Sequence, residues 1–133
     1  MERLEALANR KKGIARLNRN SKLFKSIIRA IQDKKGEDLV SLDLRKIPEA
    51  VADFFIICSA SNQPQIRAIS DSVENEVKKI TGENPYHHEG KQNLQWVLID
   101  YVNVVVHIMM PEQRKFYRLE EMWSDAPLED HKL

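Results

Sequence analysis

Eight consecutive residues, Ala52-Asp53-Phe54-Phe55-Ile56-Ile57-Cys58-Ser59, constrain this chain more than any other stretch. Successive side chains of a strand point to opposite faces. A run that is apolar on both faces therefore predicts a central strand. Before it, Leu39-Val40-Ser41-Leu42-Asp43-Leu44 alternates, with Val40, Leu42 and Leu44 on one face and Ser41 and Asp43 on the other. Lys46-Ile47-Pro48-Glu49 breaks the pattern between them.

Helical periods flank these strands. Leu23, Phe24, Ile27, Ile28 and Ile31 form one stripe, with Ser21 as N-cap and Gly36 as stop. Ser61-Asn62-Gln63-Pro64 opens a second helix, whose buried stripe is Ile66, Ile69, Val73, Val77 and Ile80 and whose end is Gly82. Pro85 to Gly90 reads as a short extended piece or loop. Leu94–Asp100 and Asn103–Met110 read as a hairpin. Pro111–Trp123 reads as one helix carrying Phe116, Tyr117, Leu119, Met122 and Trp123, stopped by Ser124-Asp125-Ala126-Pro127. The fold class is α+β: a mixed sheet with helices mainly on one face.

Its 133 residues suit one domain, and 42% hydrophobic with 31% charged residues is an ordinary globular composition. The expected division is a basic, mobile extension at 1–20, a folded domain at 21–127 and a tail at 128–133. Residues 1–35 carry eleven Lys/Arg and three Asp/Glu, net +8; residues 36–133 carry ten and seventeen, net −7. A basic arm on an acidic body could touch phosphates with the arm and a basic protein with the body. No apolar run approaches the roughly 20 residues of a membrane span, and the charged start Glu2-Arg3 lacks the apolar stretch of a secretory signal. The single cysteine, Cys58, allows no internal disulfide. These features together lead us to expect a cytoplasmic protein.

The hairpin has two unlike faces. With Tyr101-Val102 as its tip, Asp100 pairs with Asn103, Leu98 with Val105, and Trp96 with His107. These residues and Met109 share one face, with Tyr101 at the tip. Val97, Ile99, Val104 and Val106 form the other, purely aliphatic face, which belongs beneath helices. The mixed face reads as a partner-binding surface with Trp96 as its anchor, or equally as a half-buried outer sheet face that tolerates a tryptophan. A one-residue slip would exchange the faces.

Catalytic patterns are sparse. There is no glycine-rich phosphate loop, Cys-x-x-Cys or His-Glu-x-x-His. His87 and His88 would point to opposite sides of a strand, so no metal site is expected. Cys58 lies in an apolar run, as an inert buried thiol would. Ser59 and Ser61 suit capping. Asp43, Asp53 and Asp100 offer no paired carboxylates for two-metal chemistry. An enzyme is not expected, nor is a cofactor.

Several blocks carry a resemblance. These are 52–59 with Gln65 and Ala68-Ile69; Glu89-Gly90; Trp96-Val97-Leu98-Ile99-Asp100-Tyr101; Val104-Val105-Val106-His107; Arg114-Lys115-Phe116-Tyr117-Arg118-Leu119-Glu120; and Trp123-Ser124-Asp125-Ala126-Pro127. In this order and spacing, over roughly residues 22–127, they resemble the ribosomal silencing factor (Iojap) family. The resemblance implies a nucleotidyltransferase-like core without catalytic residues. It implies binding to the fourteenth protein of the large ribosomal subunit. It also implies a block on small-subunit joining that represses translation when nutrients are short. Under it the partner-binding residues are Trp96, Leu98, Asp100, Tyr101, Asn103, Val105, His107 and Met109. Ribosomal RNA would be an auxiliary contact of the basic arm, and a homodimer is conceivable for the free protein. The alternative is a nucleotidyltransferase-like enzyme or nucleotide-binding protein. Two positions depart from the family pattern: Ala60 replaces a glycine after Cys58-Ser59, and Tyr101-Val102-Asn103-Val104 replaces Tyr-Gly-Asp-Val at the hairpin turn.

Overall fold

A computed structural model describes residues 21–132 of the chain; the basic extension at 1–20 lies outside the described residues. Six strands form one sheet: β1 (Glu37–Asp43), β2 (Phe54–Ser59), β3 (His87–Glu89), β4 (Trp96–Asp100), β5 (Val104–Met109) and β6 (Leu128–Asp130). Their order is β3-β4-β5-β2-β1-β6, and the sheet is mixed because β2 and β5 run parallel while the other neighbours are antiparallel. The apolar run at 52–59 supplies β2, which sits between β5 and β1 with five of its six residues buried. Leu128–Asp130, expected as tail, is the edge strand β6, paired through backbone to Val40, Ser41 and Leu42.

Helix α1 covers residues 21–33 of the described chain, so Ser21 is already helical instead of capping. At its end, the Gly36 amide bonds to the Ile31 carbonyl (3.0 Å) and the Lys35 amide to that of Gln32 (3.0 Å). Lys35 takes the left-handed conformation at φ 58°, so the stop is a two-bond cap with Gly36 as its second residue. Helix α2 (Gln63–Thr81) is capped by Asn62, whose side chain accepts from the Gln65 amide at 2.9 Å. Pro64 lies in its first turn and left-handed Gly82 closes it. Among the described residues, no helix is long and apolar enough to cross a membrane.

Two apolar layers result. On one face, Leu23, Ile27 and Ile31 of α1 and Ile66, Ile69, Val73 and Val77 of α2 pack on Ile56, Val97, Ile99, Val104, Val106 and Ile108. This is the aliphatic hairpin face, beneath the two long helices. On the other face, Val40, Leu42, Phe55, Ile57, Val105 and Met109 form a second cluster with Leu119, Ala126 and the partly buried Trp96, Leu98 and Trp123. Tyr117 of α3 (Pro111–Tyr117) is set against Trp96, and the cover comes from α4 (Leu119–Met122) and the segment that follows it. One helix was expected over 111–123. It is broken at Arg118, which adopts φ 48°.

The hairpin register also differs from expectation. Trp96 pairs with Met109, Leu98 with His107 and Asp100 with Val105. The tip is Val102-Asn103, closed by a bond from the Tyr101 amide to the Val104 carbonyl at 2.9 Å. The register slides by two residues, an even number, so every strand residue keeps its expected face. The Asn103 amide bonds back to the Tyr101 carbonyl (3.0 Å) around Val102 at φ 75°. A positive-φ γ-turn of this kind is rare and strained, and in a β-branched residue it costs on the order of 1–3 kcal/mol. Asp100 supports the turn by accepting the Val102 amide at 2.6 Å.

Candidate docking surface

The second sheet face is only partly covered, and its open part is a strip along β4. Trp96, Leu98 and Asp100 point out of this face and are half-buried. Asn103, at the tip, is half-buried as well. The other four expected contact residues are buried in the unbound chain. Val105, His107 and Met109 lie on the expected face but are buried. Phe55 packs over His107 (ring centroids 4.7 Å) and against Trp123 (6.1 Å). Tyr101 is 1% exposed and belongs to the core beneath the long helices. Its ring turns inward because the tip begins one residue later than the sequence implied. Burial, with Glu74 and Glu83 adding to it, holds its phenol protonated above its ordinary range.

Trp96 is neither free nor sealed. Its indole N–H donates to His107 Nδ1 at 3.0 Å. Its ring lies 4.8 Å from that of Tyr117. Because Nδ1 accepts, the proton of the neutral imidazole sits on Nε2. Nε2 is buried without a hydrogen-bond partner. Burial lowers the His107 pKa to about 4, so the ring is neutral at physiological pH. Gly90 sets the strip from behind: at φ 87°, a Cβ on it would fall on the Trp96 carbonyl oxygen.

The strip continues onto residues outside the eight expected contacts. Phe116 is 77% exposed and stands 5.0 Å from the Tyr117 ring, and Met122, on α4, is exposed as well. Four apolar residues crowded into 116–122 exceed what one face of a short helix can bury, a signal that some must face water. Arg114 anchors this helical pair to the sheet. It donates to Ser59 Oγ (3.0 Å) and to Glu120 Oε1 (2.8 Å).

Several other titratable groups are buried or paired away from the strip. Burial pushes the Cys58 thiol up to about 12. Asp43 binds Arg45 at 2.7 Å, which holds its carboxyl below the usual range. His87 Nε2 meets Glu89 at 2.7 Å and His88 Nδ1 meets Glu74 at 2.8 Å. Glu74 also binds Lys91. Burial raises the Glu74 pKa, but the hydrogen bonds from Lys91 and His88 outweigh it and leave the carboxyl low. Among the described residues, no three His, Cys, Asp or Glu side chains gather as a metal site requires.

Comparisons with known proteins agree on one family. Residues 18–133 match the family described as ribosomal silencing factor during starvation. The chain is 38% identical over 111 residues to the ribosomal silencing factor RsfS of Halalkalibacterium halodurans, covering 81% of this chain and 91% of that protein. It is 36% identical over 109 residues to the chloroplastic protein Iojap of Zea mays, covering 78% and 45%. A crystal structure of a Chromobacterium violaceum protein superposes with a TM-score of 0.73 at 32% identity, covering 78% of this chain and 85% of that one.

Proposed function

The chain belongs to the ribosomal silencing factor family, and from that premise we propose that it docks on the large ribosomal subunit through that subunit's fourteenth protein and keeps the small subunit from joining. Translation is then repressed when nutrients are short. The observation that carries this reading is the strip Phe116–Tyr117–Trp96–Leu98–Asp100, an aromatic and aliphatic surface ending in a carboxylate. It is borne on a body, residues 36–133, of net charge −7. Aromatic anchors at the centre of a contact, with acid towards its rim, fit a basic protein partner. Occlusion needs only an interface, and specific ones bury about 1,200–2,000 Å² in total.

Co-sedimentation with purified large subunits tests the reading. Trp96→Ala is expected to bind at least about tenfold more weakly, as for an aromatic anchor, while still unfolding cooperatively. Isolated fourteenth protein is expected to compete with the subunit. Equal sedimentation of variant and parent, or no competition, would count against the proposal.

A further inference from the structure

Two exposed valines stand where the described strip reaches the hairpin tip. Val102 is 53% exposed and Val51 85% exposed, and neither belongs to either core cluster. They border one cleft, whose aliphatic lining is Leu44, Ile47, Ala50 and Ala52 and whose polar lining is Arg45, Asp53 and Asn103. A single exposed valine is ordinary. A valine held at φ 75° is not, because glycine meets that conformation without strain and the isopropyl group gains no internal packing in exchange. The tip is also firmly held. The Asn103 carbonyl accepts from the Asp53 and Phe54 amides (2.8 and 3.1 Å), which ties it to the loop bearing Val51.

We propose that Val51 and Val102 form an apolar ridge that seats in an aliphatic recess of a basic ribosomal protein, as an additional anchor of the docking strip. The inference rests on the large-subunit docking proposed above. Continuity supports it: Asp100, the last strip residue, is the group that caps the Val102 turn. Chemistry selects protein over RNA as occupant. The ridge is aliphatic, and Glu49, Asp53 and Asp100 lie in its loop and turn. The nearby cations are Lys46 and Arg45, the latter bound to Asp43 and stacked over Phe54 at 5.0 Å, so with Asp43 counted the carboxylates still outnumber the cations. Phosphates would meet mostly carboxylates there, whereas a recess rimmed by Lys or Arg would not. Pre-set side chains lose little freedom on binding, which favours such a contact.

The test uses the full chain and purified large subunits. Val51→Ser and Val102→Ala leave the backbone path in place and are each expected to weaken binding about three- to tenfold. Ile80→Ser, on the exposed side of α2, is the control and is expected to bind as the parent does. Val102→Gly is expected to raise Tm by a few degrees while weakening binding. Unchanged affinity of both Val51→Ser and Val102→Ala, or a lowered Tm for Val102→Gly, would overturn the ridge. So would a loss that appears equally with protein-free ribosomal RNA. If Trp96→Ala weakens binding and the valine variants do not, the ridge alone falls. If the parent itself fails to bind large subunits, both readings fall.

Discussion

Neutral His107 makes the fold sensitive to mild acid. The unfolded chain takes up a proton there as pH falls through about 6.5, whereas the buried ring resists until about 4. Unfolding therefore binds a proton between those values. The stabilisation is full above pH 6.5 and declines towards pH 4, by about 3 kcal/mol at most. Thermal melts from pH 7 to 4.5 check this, and His107→Phe is expected to flatten the slope. Asp43 and Glu74, both held low, lose their contributions only as pH falls through the carboxylate range, so the histidine component appears first. Gly90→Ala should cost several kcal/mol, since both its φ and the Trp96 backbone exclude a side chain. A cooperative melt of unchanged midpoint would contradict that. At this scale the sequence was informative where chemistry is local. Cys58 as a buried thiol follows from its apolar neighbours. The inward turn of Tyr101 does not, because it depends on where one turn begins.

Elements with a strong period were legible. The stripes of α1 and α2, the both-sided apolarity of β2 and the two faces of the β4–β5 hairpin follow from spacing, since burial repeats with backbone geometry. Ile80 is the exception, expected in the α2 stripe but 44% exposed at the helix end, beyond the sheet it would pack on. Register was not, because sliding by two residues leaves each face unchanged. The break at Arg118 was hidden because arginine carries no signal for a left-handed φ. Strand β6 was hidden because Leu128-Glu129-Asp130 is exposed throughout and joins β1 by backbone bonds, which have no side-chain signature. Removing residues 128–133 is expected to lower Tm and to speed amide exchange along β1, where His131 also bonds to Leu39 and Ser41 (2.9 and 2.8 Å). Asn62→Ala removes the α2 cap and is expected to cost about 1 kcal/mol in denaturant unfolding.

For the whole molecule, opposed charge is the main legible feature, and its use is testable through salt. Residues 1–20 hold six Lys/Arg and two Asp/Glu. If the extension touches ribosomal RNA, deleting it is expected to weaken subunit binding and to make its dependence on salt shallower. An unchanged slope would remove that contact. The second apolar layer was not legible as a cover. Leu119, Trp123 and Ala126 reach β1, β2 and β5 only once the chain has turned at Arg118. Both margins of the sheet share a trait with a colloidal consequence. β3 and β6 are three residues long and read His-His-Glu and Leu-Glu-Asp. Short, charged margins give a neighbouring molecule little to zip onto. Growth of the sheet from one copy into the next, margin to margin, is thereby disfavoured.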